Sequence, residues 1–479
     1  MTTVKEQIES LFNRNCTQEI LHLEKLPKSG GDRIYFRLTT REQNFIATYN
    51  LNVKENETFL YFSDHFKTIN APVPAIFMVN DEQTIYIQED LGGDCLLDIL
   101  ENIGQQEDLK NLYKKSLKSL AYLQIKGDED LQYKKCITSK EFGKQAILSD
   151  LLYFKYYFLD TLKMAYDKEK LGDDFEALSS YLNHADHKYF MFRDFQSRNI
   201  MIKNGEPFFI DYQGGMKGAL QYDVASLLWQ AKADLTDDWK NELLQYYIDC
   251  VEDELAETVD RTRFVSQYNG YVLIRLLQVL GAYGFRGLFE RKAHFLTSIP
   301  LALRNLQSFL LHNKMGISVP EFERILTLIV KNEIIQRFEP IKATEKTPLV
   351  VNIKSFSYLK SGYPKSVAEN GGGFVFDCRG ILNPGRIEEH KKETGRDKSV
   401  QDYLTEKTRM EEFLASVFST VDISVEDYIK RNFEVLEVNF GCTGGQHRSV
   451  YAADALCRHL KNKYGVKTVV KHIEQNFAE

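Results

Sequence analysis

The chain has 479 residues, too many for one typical hydrophobic core, and its net charge of -7 with 43% hydrophobic and 27% charged residues is that of an ordinary globular protein. From Glu345 onward 20 Lys and Arg stand against 19 Asp and Glu, and before it 41 stand against 49, so neither part announces nucleic acid by charge alone. Seven cysteines at irregular spacing, with no Cys-x-x-Cys pair, argue against a disulfide framework and against a zinc site.

The N-terminus from Met1 to Ser10 is charged and lacks the apolar core of a secretory signal. The most apolar stretch, Tyr271 to Phe285, is too short to span a bilayer and is interrupted by Arg275, so a cytoplasmic location without a membrane partner is expected. Up to about Gly92 the pattern predicts strands at Ile34–Arg37, Asn44–Tyr49 and Thr84–Gln88, with a helix over Glu55–Thr68. The Gly-rich turn Ser29-Gly30-Gly31-Asp32-Arg33 precedes the first of these strands, where backbone N–H groups could approach a phosphate. From about Gly93 to Phe338 the period is mostly helical, as at Leu109–Leu123 and Leu148–Leu162.

Inside this helical block lies the most specific chemistry of the chain. Phe192-Arg-Asp-Phe-Gln-Ser-Arg-Asn199 is followed by Ile200–Lys203 and Pro207–Ile210, two short strands joined through the turn signal Asn204-Gly205, and then by Asp211. A hairpin brings both ends of that segment together. In kinase-type sites one aspartate orients the attacking hydroxyl, an asparagine five residues on helps to hold magnesium, and a second aspartate after a hairpin binds the metals that bridge the phosphates. Here those positions are Asp194 (catalytic), Asn199 and Asp211 (metal). Asp223, in Tyr222-Asp-Val-Ala-Ser226, reads either as a carboxylate that fixes this loop or as a helix cap.

Phe192–Asn199, Ile210–Gly214, Tyr222–Leu228 and Leu277–Arg286 make residues 1–338 resemble the aminoglycoside phosphotransferase-like kinases, and within them the kinases that phosphorylate the anomeric hydroxyl of N-acetylmuramate and N-acetylglucosamine. The resemblance implies a bilobal, α+β protein-kinase-like fold with a small β lobe and a larger helical lobe, ATP and Mg2+ as cofactors, and an amino sugar as substrate. It implies that Glu89-Asp90-Leu91-Gly92 is the hinge whose backbone meets adenine, and makes Arg275, Gln278 and Arg286 candidates for the sugar pocket. Two departures stand out: Phe192 replaces a common His, and the strand that carries a phosphate-anchoring Lys in most kinases reads Phe45-Ile-Ala-Thr-Tyr49. Tyr49 stands near the Lys position, and Lys54 either reaches in from the next turn or is plain surface.

The polar segment Glu339–Pro348, with two prolines, is the expected linker. Beyond it, strands at Leu349–Ser355, Phe374–Asp377, Leu436–Phe440 and Lys467–Ile473, with helices at about Val400–Val417 and Gly445–Lys463, predict a compact α/β domain over 349–479. Gly441-Cys-Thr-Gly-Gly-Gln-His-Arg-Ser449 runs from a strand into a helix, a geometry that offers backbone N–H groups and Arg448 to an anion. Cys442 and Arg448 also match the Cys-x5-Arg loop of cysteine phosphatases, with Asp377 and Asp397 as guesses for the acid. With Phe376–Arg379, Asn383-Pro384, Thr394-Gly395 and Asp397, the loop is very similar to the C-terminal domain of the RapZ family of RNase adapters. That resemblance implies a site for an amino-sugar phosphate at Cys442, Thr443, Gly444, Gly445, Gln446, His447, Arg448 and Ser449, with Arg379 and His472 as further candidates. RNA is a second partner in that family; the charge balance here argues against it, while the patch Lys461, Lys463, Lys467 and Lys471 keeps it open. No G-x-x-x-x-G-K-[ST] motif occurs, so the kinase-like block stands where that family carries a Walker-type domain. A nucleotide- and metabolite-sensing adapter without turnover is the alternative reading.

Overall fold

Thr3 opens the first helix, α1 (Val4–Asn15), with a reciprocal cap in which its hydroxyl accepts from the Glu6 N–H and the Glu6 carboxylate accepts from its own N–H. The computed structural model describes residues 3–27, 32–137, 139–290, 292–365 and 372–475. It divides into two units, Met1–Phe338 and Glu339–Glu479.

In the first unit, β1 (His22–Lys25), β2 (Ile34–Thr39), β3 (Asn44–Tyr49), β4 (Ile76–Val79) and β5 (Ile85–Glu89) form an antiparallel sheet of order β1-β2-β3-β5-β4. Strand alternation gives this sheet two unlike faces. Phe36, Leu38, Phe45, Ala47, Ile85 and Ile87 pack with Ile8, Leu11 and Phe12 of α1. The opposite face carries Tyr86, which stacks on Phe59 of α2 (Val53–Thr68). Phe59 in turn stacks on Tyr212, just past the second hairpin strand, so α2 joins the sheet to the larger lobe.

The larger lobe consists of α3 (Leu96–Ile103), α4 (Glu107–Lys126), α5 (Lys144–Tyr157), α6 (Lys168–Asn183), β6 (Lys188–Met191), β7 (Ile200–Lys203), β8 (Glu206–Phe209), β9 (Met216–Ala219), α7 (Leu220–Leu228), α8 (Asp237–Leu255), α9 (Arg261–Tyr283), α10 (Ala293–Leu296), α11 (Ile299–His312), α12 (Pro320–Ile329) and α13 (Asn332–Phe338). The β7–β8 hairpin turns at Asn204-Gly205, both with positive φ, as the Asn-Gly signal predicts. The expected helix at Leu148–Leu162 starts earlier and stops at Tyr157, where a 3₁₀ turn (Leu159–Leu162) takes over.

The apolar stretch Tyr271 to Phe285 is part of a longer element. Helix α9 continues through a π-helical turn (Gly284–Phe289), and among the described residues Arg261–Phe289 is the one helix long and apolar enough to cross a membrane. It packs against α5, α7 and α11, which is how a core helix reaches that composition.

The second unit is a four-stranded parallel sheet of β10 (Val350–Ser357), β11 (Gly373–Asp377), β12 (Val435–Cys442) and β13 (Lys467–His472), ordered β11-β12-β10-β13. Its helices are α14 (Lys398–Lys407), α15 (Met410–Arg431) and α16 (Arg448–Tyr464). The single helix expected at Val400–Val417 is two, because Thr408 leaves helical geometry and its hydroxyl accepts from the Met410 N–H to start the second.

Candidate functional site

The loop between β6 and β7 is held from below by one carboxylate. Asp223, fully buried in the first turn of α7, accepts the backbone N–H groups of Phe192 (2.6 Å) and Arg193 (3.0 Å) and the Gln124 amide (2.9 Å). It therefore fixes the β6–β7 loop and caps nothing. Burial pushes its pKa up to about 7, with those three donors pulling the other way. Arg193 has φ +77°, a left-handed conformation rare outside glycine, and its guanidinium points away from the cleft to Asp150 (2.8 Å) and to the Tyr222 hydroxyl (2.8 Å). Phe192 is fully buried among Phe195, Phe209 and Tyr212, an apolar support where a His is common.

This frame presents Asp194 to the cleft with four donors on it. Arg275 from α9 reaches its Oδ1 at 2.8 Å, Arg198 its Oδ2 at 3.3 Å, Gln196 its Oδ1 at 2.7 Å and Asn199 its Oδ2 at 3.4 Å. Burial alone would raise its pKa, but Arg275 and Arg198 overcome that and hold the carboxyl below its ordinary value. Arg275 is nearly buried and is itself fixed by Ser226 (3.0 Å) and Gln278. Of the three predicted sugar-pocket residues, Arg275 reaches Asp194 directly and Gln278 meets it only through Arg275. The third, Arg286, sits in the π-helical turn with its guanidinium over the Phe295 ring at 5.3 Å.

Asn199 also donates to the Asp194 carbonyl (2.9 Å), and its own carbonyl accepts from Ile210 (3.0 Å), which ties this loop to the residue before Asp211. Asp211 again has positive φ, +67°. Its Oδ1 accepts from Gln213 (2.8 Å) and from Arg33 (3.0 Å). Among the described residues no cluster of three His, Cys, Asp or Glu side chains could hold a metal unaided. The Asp211 carboxylate and the Asn199 amide oxygen fit a hard divalent cation that keeps few protein ligands and takes the rest from phosphates and water.

The sheet above this cleft corrects part of the sequence reading. In β3 the side chain facing α2 is that of Thr48, paired in register with Tyr35 and Tyr86; Tyr49 points to the α1 side and packs with that apolar cluster. Tyr49 is thus not the stand-in for the missing Lys. Lys54 is exposed on α2, and the next residue, Glu55, turns inward to Arg33 and to Asn50 (3.0 Å). Asp32 is exposed, and Ser29, Gly30 and Gly31 lie outside the described residues. At the hinge, Leu91 is buried, the Glu89 carboxylate holds Lys203 (2.6 Å), and Asp90 holds Arg37 (2.6 Å). These residues border a cavity of about 390 Å³.

In the second unit the loop after β12 is spent mainly on itself. Cys442 is buried, and its Sγ accepts from the Gly445 N–H (3.2 Å) and contacts Ser449 Oγ (3.1 Å). Gln446 donates to the carbonyls of Lys391 (3.0 Å) and Glu393 (2.6 Å), and His447 Nε2 meets the His390 carbonyl (2.9 Å). Burial lowers the His447 pKa, which keeps that ring neutral near pH 7. Arg448 donates to the carbonyls of Ile381 (2.7 Å) and Arg379 (3.3 Å) and to Thr443 Oγ1 (3.3 Å). What faces outward is Thr443, with Gly444 half-exposed beside it.

Two other candidates are also engaged. Arg379 grips Asp377 and lies over Tyr358 at 4.0 Å, while His472 is held by Ser355 (2.8 Å) and Asp454 (3.1 Å). The phosphatase reading loses its parts here. Cys442 is buried, and the two guessed acids are held below the ordinary carboxyl range, Asp377 by Arg379 and Asp397 by the Thr394 N–H.

Against known families, the profile described as "Phosphotransferase enzyme family" matches residues 22–261, half of the sequence. The chain belongs to that family. In this phosphotransferase-family chain, residues 349–476 match the RapZ C-terminal domain. Curated relatives include nucleotide-binding proteins of Thermotoga neapolitana, 36% identical over 122 residues (26% of this chain, 41% of the relative), and of Shewanella halifaxensis, 35% identical over 132 residues (27% and 44%). The chain thus spans less than half the length of these two relatives. Among solved structures, choline kinase from Cryptosporidium parvum (13% identity, 67% of this chain and 99% of that one, TM-score 0.46) and amicoumacin kinase hAmiN with AMP-PNP and Ca2+ (11%, 67% and 100%, TM-score 0.45) are similar to it.

Sequence reasoning missed Asp150, Asn50 and Glu55. Asp150 sits 43 residues before Arg193 with no motif between them, and only the folded lobe pairs the two. Glu55 was legible in principle as the inward neighbour of an exposed Lys54 on α2.

Proposed function

We propose that residues 1–338 form an ATP- and magnesium-dependent kinase that phosphorylates a hydroxyl of a small sugar, an amino sugar such as N-acetylglucosamine or N-acetylmuramate, and that residues 349–479 bind a sugar phosphate. The observation that carries the reading is Asp194, held by Arg275 on a loop that ends at Asn199, whose carbonyl accepts from the N–H of Ile210, the residue before Asp211.

In this scheme Asp194 accepts a hydrogen bond from the acceptor hydroxyl and aligns its oxygen for in-line attack. Asn199 and Asp211 are the residues that would hold magnesium. The metal, when bound, neutralises charge on the transferring phosphoryl group. Arg275 keeps Asp194 ionised, so the carboxylate is an acceptor at any pH near neutrality. A carboxylate held below its ordinary value is a weaker base than usual, and it suits a hemiacetal hydroxyl, which is more acidic than an ordinary alcohol. That favours the anomeric position of a sugar. For the second unit, the support is the outward backbone at Thr443–Gly444 together with the buried Nε of Arg448, which has no hydrogen-bond partner among the described residues.

The test is to incubate the full chain with Mg-ATP and a panel of amino sugars, neutral hexoses and aminoglycosides, following ADP release and product mass. Turnover on an amino sugar, absent in Asp194→Asn, is the expected result. Nucleotide binding without turnover on any member of the panel would replace the kinase reading by that of a sensing adapter.

A further inference from the structure

Strand alternation places Tyr35 and Arg37 on the face of β2 that looks toward α2 and the cleft, the same face as Thr48 and Tyr86, and Arg33, just before the strand, meets the Tyr35 hydroxyl and Glu55 of α2 from that side. Kinase-type sites need a cation here: a Lys on the third strand pairs with a Glu on the following helix and contacts the nucleotide's phosphates. This chain has the helix and the Glu but not the Lys. The inward residue of β3 is Thr48, fully buried between Tyr35 and Tyr86.

Resting on the kinase reading above, we propose that Arg33 does the work of the missing Lys: its guanidinium, reaching in from the start of β2, anchors the phosphates of the bound nucleoside triphosphate.

Three observations support it. The guanidinium bonds Glu55 of α2 through Nη2, while Nη1 bonds Asp211 Oδ1 at 3.0 Å and the Tyr35 hydroxyl at 3.3 Å, so one side chain touches both the helix carboxylate and the metal-binding aspartate. Glu55 is positioned independently by Asn50 Nδ2 at 3.0 Å, and Asn50 is itself fixed by Asn56 (3.0 Å). The third is chemical. A guanidinium presents several donors in a fixed fork, so it can keep Glu55 on one nitrogen while another turns to a phosphate oxygen, which a single ammonium group does less well. Of the other candidate cations, Lys54 is exposed, Lys203 is taken by Glu89 and Arg37 by Asp90.

The experiment measures binding, not turnover. Titration calorimetry on the full chain compares Mg-ATP, Mg-ADP and adenosine for wild type, Arg33→Ala, Arg33→Lys and Lys54→Ala. Removing a charged hydrogen-bond donor from a phosphate costs about 1.5–3 kcal/mol, so Arg33→Ala is expected to weaken Mg-ATP and Mg-ADP by roughly 10- to 150-fold. Adenosine should stay within about twofold of wild type, because it carries no phosphate for Arg33 to hold. Arg33→Lys should recover much of the loss, and Lys54→Ala should bind as wild type. Unchanged Mg-ATP affinity in Arg33→Ala, an equal loss for adenosine, or a Lys variant no better than Ala would each overturn the proposal while leaving the kinase reading intact. A wild-type chain that binds no adenine nucleotide would overturn both.

Discussion

Replacing Asp223 by Ala tests the claim that one buried carboxylate builds the catalytic loop. The change strips the acceptor from the buried Phe192 N–H and the buried Gln124 amide, and from the half-buried Arg193 N–H. Each orphaned buried donor costs about 1–3 kcal/mol. Part of this returns, because a carboxylate whose pKa burial has pushed to about 7 is itself costly to bury, and the net loss expected is roughly 3 kcal/mol. Both tryptophans, Trp229 and Trp239, belong to the first unit, so urea unfolding followed by tryptophan fluorescence reports that unit alone. The left-handed backbone of Arg193 would also lose the bond that keeps it in place, so kcat should fall with stability. The pH dependence has a definite sign. A carboxyl whose folded pKa lies above its unfolded value stabilises the fold while protonated, and that contribution declines as pH rises from about 4 through about 7. The gap between wild type and Asp223→Ala should therefore narrow over that window. A loss under about 1 kcal/mol with turnover retained would refute the account of the loop.

Three further outcomes are expected. Asp194→Asn should abolish turnover and leave Mg-ATP affinity near wild type, whereas Asp211→Asn should weaken Mg-ATP as well; calorimetry alongside an ADP-release assay separates the two. Arg275→Gln should move the acid limb of the kcat/KM–pH profile upward, because the foremost charge holding Asp194 low is gone, and an unmoved limb would contradict the pairing. In the second unit Gly445 has φ +66° and its added Cβ would lie 2.3 Å from the Glu474 side chain, so Gly445→Ala should distort the loop and weaken inorganic phosphate binding, measured by calorimetry, by at least about tenfold.

What the sequence disclosed was what lies close along the chain. Asp194, Asn199, the Asn204-Gly205 turn and Asp211 form one short segment, and its local rules predict the hairpin and the convergence of its two ends. The loop from Cys442 to Ser449 was legible for the same reason. Pairings across the fold were not: Arg275 reaches Asp194 over 81 residues and Arg33 reaches Asp211 over 178. Strand parity is readable in the sequence: counting alternate residues from the buried Phe45 and Ala47 puts Tyr49 on their side and Thr48 on the other. The split of the expected helix near Thr408 turned on one hydroxyl bonding a nearby N–H, a choice that periodicity does not record.

The arginines around Asp194 bear on which acceptor the site can use. A carboxylate with four donors on it has little basicity left, so it orients a hydroxyl better than it deprotonates one. Where the phosphoryl group passes through a loose transition state, little negative charge need develop on the attacking oxygen before bond formation, and orientation suffices. The demand on the base falls further when the hydroxyl is acidic of itself, as on a hemiacetal carbon. An acceptor panel that ranks free reducing sugars above the same sugars blocked as methyl glycosides would follow from this electrostatic arrangement, since the blocked sugars keep every other hydroxyl. Equal turnover of free and blocked sugars would point to a different hydroxyl and remove the link between the Arg275–Asp194 pair and the anomeric position.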